Sequence, residues 1–309
     1  MSVDQVPRKW IPLGALLVFV LLFAAGCQPL LNAPAGGGET LTKTFRYGPF
    51  TLGPGEDAEG STASGMPRPS GAFGLKVAQF DIVEEDGTPV SVQDVHLHHI
   101  VMTTSAHQDQ LCPGRRERFI ASGQERTPIV LWGPYTYLVG ANDNWGSIYH
   151  VMNMTPPGTP AKTVYIEYTL QYQPDANATN SRPVDAYFQD VTGCGNSTYD
   201  VPGNGGPGSV HTKSRSWAAP DDGLAIFSGG HLHKGGIDVN LKDGTSGNDF
   251  CTGTASYHGN GHLARIKPCL IHEKVDAGHD FKVTARYDNS QAWSDVMGIM
   301  MTYVWWGTQ

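Results

Sequence analysis

The sequence predicts an all-β fold made of two consecutive β-sandwich domains of the jelly-roll-like type. The chain has 309 residues, with 38 Gly, 21 Pro and only 16% charged residues, a composition typical of proteins with many turns. Apolar and polar residues alternate with period two in many segments, and no long segment repeats its apolar residues with the helical period. The formal net charge of −8 argues against nucleic acid as a partner, because phosphate binding needs clustered Lys and Arg.

The first 26 residues have the three parts of a bacterial export signal. Arg8 and Lys9 precede an apolar run over residues 10–26, and small residues end this run directly before Cys27. This order resembles a lipobox, so we expect removal of the signal peptide 1–26 and attachment of a lipid to Cys27. An uncleaved anchor helix is the alternative, although such a short apolar run barely spans a bilayer. The sequence therefore predicts an exported lipoprotein, held at the outer side of the bacterial cell membrane through its lipid anchor only.

The rest of the chain divides into a tether, two domains and a linker. Residues 27–43 contain little that could form a core, and we expect a flexible tether there. Residues 44–200 and 209–309 are the predicted domains, and the Gly- and Pro-rich residues 201–208 are the predicted linker. Residues 54–71 are also rich in small and polar residues, and we expect them to form an irregular insertion.

Five segments have the clearest strand pattern. They alternate apolar and polar residues and are bounded by Gly, Pro, Asp and Asn. The predicted strands are residues 75–83, 95–102, 164–172, 279–287 and 298–306. Because three of them lie in the first domain and two in the second, each domain has strands with which to bury its own core.

Four cysteines remain after Cys27, and an even number in an exported protein indicates disulfides. Four cysteines allow three pairings. Proximity in the sequence favours Cys112 with Cys194 and Cys251 with Cys269. Thiols that bind a metal are the alternative, but no two cysteines have the C-x-x-C spacing.

Three of the 12 histidines lie within one predicted strand, at His96, His98 and His99. In a regular strand residues i and i+2 share a face, so His96 and His98 would point together and His99 away. A twist of the strand would instead let the two adjacent histidines chelate one metal. Imidazole suits copper, zinc, iron and nickel, so this strand is a candidate metal site.

A second histidine pair, His231 and His233, is separated by one residue and lies between two glycine pairs. Near the end of the chain Met297 follows a polar loop and opens the last predicted strand. Its thioether is a soft ligand that selects Cu(I), whereas we expect Met300 and Met301 to pack in the core. Two H-x-H pairs in one exported β protein favour metal binding over coincidence.

Together these motifs resemble two families over about residues 75–306. The copper type II, ascorbate-dependent monooxygenases, such as peptidylglycine hydroxylating monooxygenase and dopamine β-monooxygenase, have a histidine pair in their first β domain. They also have an H-x-H motif early in the second domain and a D-x-M motif near its end. The chain is also similar to the plant stress up-regulated nodulin family. The residues that carry this likeness are Leu97-His98-His99, Gly230-His231-Leu232-His233 to Gly236, Cys251 with Tyr257, and Tyr287 with Met297-Gly298.

The resemblance to the monooxygenases implies two copper ions that alternate between Cu(I) and Cu(II). His98 and His99 match the paired ligands of the electron-storing copper. These enzymes place a third histidine on a later strand, where His150 is the candidate in this chain. His96 is additional to that pattern, and we expect it beside the ligands rather than among them.

The same resemblance implies that His231, His233 and Met297 are the catalytic residues, since they match the ligands of the copper that reacts with dioxygen. The implied reaction is hydroxylation of a C–H bond in a small-molecule or peptide substrate, with an external reductant such as ascorbate. Gly229 stands where the peptide-processing members have Arg, and Met301 stands where they have Tyr. Because both substrate contacts are missing, a peptide with a C-terminal glycine is disfavoured.

Two other functions remain open at this point. A non-catalytic copper-binding or stress-related lipoprotein would use the same ligands without turnover, and the nodulin-like motifs and the missing substrate contacts favour it. Zinc in a structural or hydrolytic role is the third interpretation, although neither histidine pair has Asp or Glu close behind it.

Overall fold

The structure is a computed structural model in which residues 39–174 and 181–307 are described. These residues form strands and turns, and they include no helix. The prediction of an all-β fold is therefore confirmed. Within the same two ranges there is no helix of the length and apolarity needed to cross a membrane. The predicted signal peptide and Cys27 lie outside the described residues.

Twenty-one strands are present in the described part of the chain. The first ten are β1 (Leu41–Leu52), β2 (Asp57–Thr62), β3 (Phe73–Val83), β4 (Val95–Gln108), β5 (Arg116–Gly123), β6 (Ile129–Val130), β7 (Tyr135–Val139), β8 (Trp145–Asn153), β9 (Lys162–Pro174) and β10 (Arg182–Pro183). The others are β11 (Asp185–Asp190), β12 (Tyr199–Pro202), β13 (Val210–Ala218), β14 (Gly223–Leu232), β15 (Gly236–Asp243), β16 (Asp249–Tyr257), β17 (Leu263–Ile266), β18 (Cys269–Val275), β19 (Asp280–Asp288), β20 (Ala292–Val296) and β21 (Gly298–Trp306). The five predicted strands correspond to β3, β4, β9, β19 and β21.

One expectation about irregular structure was wrong. Residues 54–71 contain β2, which pairs with β8 from Asp57 opposite Met152 to Thr62 opposite Ser147. β2 lies at the edge of its sheet, so its backbone can complete the hydrogen-bond ladder while its side chains face solvent. Polar composition therefore did not prevent this segment from forming a strand.

The first half of the chain forms two sheets that face each other. Their strand orders are β1-β9-β3-β7-β10, with β6 also on β3, and β2-β8-β4-β5. Alternate residues of both sheets point into a common core, which includes Leu75, Phe80, Ile100 and Phe119. The opposite face of β4 and β8 points away from this core, so side chains on that face can contact other parts of the molecule.

Two sheets are formed mainly by the second half of the chain, with strand orders β13-β19-β15-β16-β17 and β11-β21-β14-β18. A core that includes Val239, Val283 and Met300 fills the space between them. β11 pairs with β21 although it precedes the predicted linker, and β12 pairs with β20.

The β11-β21-β14-β18 sheet packs on both halves of the molecule. The face that carries Phe227 and Tyr303 belongs to the core of the first half. Tyr303 donates a hydrogen bond from its hydroxyl to the Phe119 carbonyl oxygen at 2.6 Å. This packing brings the end of β14 against the outer face of β4.

Both predicted disulfides form. Cys112 is bonded to Cys194, and Cys251 is bonded to Cys269. The Cα–Cα distances are 5.5 Å and 5.8 Å, which are normal for disulfides. Met300 and Met301 are buried, as expected for core residues.

Candidate metal centre

A β-bulge places His98 and His99 on the same side of β4. Leu97 lies opposite Val151 and His99 lies opposite His150, so His98 has no opposite residue on β8. The Nδ1 atoms of His98 and His99 are 3.3 Å apart. Of the two arrangements that the sequence allows, the structure adopts the one in which adjacent histidines can bind together.

His150 completes the group on this sheet, because it lies opposite His99 on the neighbouring strand. Its ring centroid is 4.8 Å from that of His98 and 5.7 Å from that of His99. Rings that share a metal at about 2.0 Å from each nitrogen stand about 5 Å apart. One possible ligand atom of each of the three residues lies within 4.8 Å of the others. We call His98, His99 and His150 the first histidine group.

His150 is also held by a hydrogen bond from the edge strand. Its Nε2 lies 3.0 Å from the Oδ2 atom of Asp57 on β2. An ionised carboxylate only accepts, so Nε2 carries the proton and the lone pair of His150 is on Nδ1. A metal ligand whose second nitrogen donates to a carboxylate is the common arrangement in metal sites.

The second histidine group consists of His231 and His233, whose ring centroids are 5.2 Å apart at the end of β14. Nδ1 of His231 lies 3.1 Å from Oε2 of Glu125, and Nδ1 of His233 lies 2.8 Å from the carbonyl oxygen of Asp295. Both partners are acceptors, so both Nδ1 atoms carry the proton and both lone pairs are on Nε2. The two Nε2 atoms are buried and have no hydrogen-bond partner in the described part of the chain. Buried polar atoms are normally paired, so these nitrogens are suited to bind a metal.

Glycine and a left-handed residue position this second group. A Cβ atom at Gly123 would lie 2.5 Å from Cε1 of His231, so the close approach of β5 to that ring requires glycine. Asp295 has a φ of 53°, a conformation that Asp tolerates better than most residues, and it presents its carbonyl oxygen to His233. Glu125 comes from the first half of the chain, so residues of both halves hold the second group.

Tyr287 connects His233 to Met297. Its hydroxyl accepts a hydrogen bond from the backbone N–H of His233 at 2.8 Å and donates one to the carbonyl oxygen of Met297. Met297 is half-buried, and it lines the same cavity as His99 and His231. The predicted thioether ligand therefore lines the same cavity as His231, one of the two histidines with which the sequence grouped it.

Burial keeps most of these imidazoles neutral. It lowers the pKa of His98 and of His99 to about 3, and neighbouring histidines act in the same direction. It also lowers the pKa of His233 well below its ordinary value. Since neutral imidazole is the form that binds metals, these side chains are ready to bind at neutral pH.

The two histidine groups are in contact with each other. The ring centroids of His98 and His233 are 4.3 Å apart, and this pair joins the five histidines into one cluster. His96 lies outside the cluster, because its ring packs on His262 at 4.8 Å. Burial lowers the pKa of His96 to about 4. The expected position of His96 beside the ligands of the first group stays a prediction, since the ring contact that His96 makes is with His262.

A second set of potential ligand atoms is explained by ordinary turn structure. Atoms of Asp243, Asp276 and His279 lie within 4.8 Å of one another. Asp243 accepts hydrogen bonds from the backbone of Thr245 and Ser246 and lies 2.8 Å from Nδ1 of His279. Its lone pairs are therefore used by the β15–β16 turn and by His279.

The five histidines and Met297 stand out in the sequence as candidate ligands, but the residues that orient them do not. Glu125 lies 106 positions from His231, and no motif around it indicates the contact. The role of Gly123 depends on how two sheets approach each other, which no local pattern records. Tyr287 had a signal, since it belongs to the nodulin-like motif set.

Residues 158–305 match the family model for stress up-regulated Nod 19. This match confirms the resemblance to the nodulin family over those residues. The matched range includes His231, His233 and Met297, but not the first histidine group. The comparisons do not support the resemblance to the copper monooxygenases, which stays a prediction.

No curated protein matches this chain. Among solved structures, the T=3 Penaeus vannamei nodavirus has 13% identity and a TM-score of 0.22, with 99% of this chain and 97% of that chain covered. The T13 IBDV viral particle has 8% identity and a TM-score of 0.22, with 87% and 70% covered. A TM-score of this size carries no argument about fold or function.

Proposed function

We propose that this chain is an exported, lipid-anchored copper protein that uses dioxygen to hydroxylate a C–H bond of its substrate. The observation that carries this proposal is the pair of buried Nε2 atoms of His231 and His233, which have no hydrogen-bond partner among residues 39–174 and 181–307. These atoms lie in a cluster with three further imidazoles, and Met297 lines a cavity beside them. Imidazole and thioether are the ligands that suit copper in both oxidation states.

Each of the two groups would hold one copper ion. His98, His99 and His150 would hold one ion, and His231, His233 and Met297 would hold the other. Bound copper supplies the exchange of single electrons with a reductant and with dioxygen. Glu125 and the Asp295 carbonyl fix the rings of His231 and His233, so these rings need little rearrangement when they bind.

The proposal is tested by oxygen consumption after copper loading, with ascorbate as the reductant. We expect two copper ions per chain and oxygen uptake that His231→Ala abolishes. His107→Ala is the matched control, because His107 lies on β4 but is exposed and distant in register from the cluster. Binding of a single copper with no oxygen uptake for any candidate substrate would contradict the monooxygenase.

A non-catalytic copper-binding protein is the second candidate, and the match to stress up-regulated Nod 19 favours it. It would bind the same two ions through the same side chains, with full occupancy and no ascorbate-dependent oxygen uptake. Metal analysis of protein expressed with both copper and zinc would separate either copper function from a zinc site.

The membrane anchor is a separate part of the proposal and rests on the residues around Cys27. Mass spectrometry of the mature N-terminus should find a lipid on Cys27 and no residue before it. A Cys27→Ser variant should appear in the soluble exported fraction. An intact N-terminus in the membrane fraction would indicate the uncleaved anchor helix instead.

A further inference from the structure

A cavity of about 310 Å³ separates the β2-β8-β4-β5 sheet from the β11-β21-β14-β18 sheet. On the first sheet Val101 lies opposite Ile148 on one side and Ala121 on the other. This apolar row is directly next to the row that contains His99 and His150, at a distance of about 7 Å along the strands. The register of the sheet therefore places an apolar surface beside the first histidine group.

The facing sheet repeats this arrangement. Met301 lies opposite Phe188 on one side and Gly229 on the other, and all three line the cavity. Two residues further along β14, His231 also lines it. A Cβ at Gly229 would lie 3.1 Å from the ring of Phe227, so glycine at this position lets that ring line the cavity. The cavity thus has apolar walls and reaches both histidine groups.

The charged side chains inside the cavity are already paired. Arg118 is buried, its Nε lies 2.6 Å from Oδ2 of Asp109, and its guanidinium stacks 4.1 Å from the ring centroid of Phe188. Glu125 is buried against His231. A charged ligand group placed between them would lose water without gaining a free partner, so the cavity disfavours a charged ligand.

The opening of the cavity has a different character. Glu59 and Arg115 line it and are exposed to solvent. Ile148 lines it as well, and 41% of its surface is accessible. An isolated apolar side chain on a surface is ordinary, but this one continues the apolar row of Val101 and Ala121 to the outside. An apolar molecule would therefore meet apolar surface from the opening inward.

Building on the proposed function, we infer that the substrate is a small, uncharged and mainly apolar molecule, which the cavity holds beside His99, His231 and Met297. The volume lies at the lower end of the range for small-molecule pockets, about 300–1,000 Å³. A long peptide or a polysaccharide would not fit within it. The missing substrate contacts at Gly229 and Met301 follow from the same preference, since an uncharged ligand needs no arginine.

The test is binding of two matched fluorescent dyes to the metal-free protein. N-phenylnaphthylamine is neutral, and anilinonaphthalene sulfonate has a closely similar ring system with an added negative charge. We expect one molecule of the neutral dye to bind per chain. The sulfonate should bind with an affinity at least about tenfold lower. Because no copper is needed, failure of dye binding overturns the substrate class, whereas failure of oxygen uptake overturns the proposed function.

Two variants locate the dye in this cavity. Ala121→Leu adds bulk to the wall, and Ile148→Trp narrows the opening at an exposed position where folding is little affected. Each should weaken binding of the neutral dye by about tenfold. Ala264→Leu on β17 is the control, since Ala264 is half-buried outside the cavity, and it should leave binding unchanged. Equal binding to all three variants, or tighter binding of the sulfonate, would overturn the inference.

Discussion

The first and second histidine groups face each other across 4.3 Å between His98 and His233, yet they are built by different means. Strand register and one bulge bring the first group together within a single sheet. Hydrogen bonds to Nδ1 atoms orient the second group, and one of them comes from Glu125 in the other half of the chain. The first group is therefore a property of one sheet, whereas the second is complete only when the two halves pack together.

Loss of one ligand from each group is the strongest test of this difference. His99→Ala should remove the ion of the first group and leave the second, and His231→Ala should do the reverse. Copper per chain, measured by elemental analysis, should fall from two to one in each variant, and electron paramagnetic resonance should show a different remaining site. Loss of both ions in either variant would mean that the five histidines form a single indivisible centre.

A methyl group at Gly123 should disturb the second group alone. The added Cβ would lie 2.6 Å from Nδ1 of His231 and 2.8 Å from Oε2 of Glu125, so the hydrogen bond between them must shift. For Gly123→Ala we expect affinity for the second copper to fall by about 10–100-fold, as when a group behind a ligand is lost.

Gly195→Ala is the matched control for this glycine. A Cβ at Gly195 would meet nothing within 4 Å, so both copper affinities should stay unchanged. Competition with a chelator of known affinity provides the measurement. An equal loss of the first copper in Gly123→Ala would show that the groups are not independently built.

Removing the carboxylate that contacts one histidine of each group should lower the two copper affinities by different amounts. Glu125 is buried and Asp57 is half exposed, so Glu125 acts on its histidine with less screening by water. Glu125→Gln should weaken the second copper by about tenfold, and Asp57→Asn should weaken the first by about twofold. A larger effect at Asp57 would contradict the view that strand register dominates in the first group.

The smallest loss of bound copper is expected at the thioether, where the effect should instead fall on the reduction potential. Met297→Leu should keep two copper ions per chain but lower the preference for Cu(I) at the second group by about tenfold, because a soft ligand is lost. The reduction potential, followed by redox titration, is the readout. Met300→Leu is the control, since Met300 is fully buried in the second core and should change stability by less than about 1.5 kcal/mol. An unchanged potential in Met297→Leu would remove Met297 from the proposed ligands.

The sequence predicts the strands well because they depend on local patterns, and local motifs likewise single out the candidate ligands, whose role stays a prediction. Period-two alternation locates β3, β4, β9, β19 and β21, and proximity in the sequence favours the observed disulfides. Long-range pairing is harder to predict. The bulge at His98 depends on the register between β4 and β8. The edge strand β2 forms through backbone hydrogen bonds, which its polar sequence does not predict.

The same limit applies at the centre of the site. No feature of residues 95–102 and 228–236 alone indicates that His98 touches His233, because the contact depends on how the β11-β21-β14-β18 sheet packs on the first half. Glu125 and Gly123 could not be identified for the same reason. Their roles are set by side chains that are distant in the sequence.

The Cys112–Cys194 bond links the loop that carries Arg115 to the segment 195–198, and both line the opening of the cavity. It closes a loop of 82 residues, which in the chain-entropy view contributes roughly 4–5 kcal/mol to folding. The bond therefore limits how far the two segments that line the opening can separate, so a covalent link sets the width of the entrance together with strand packing.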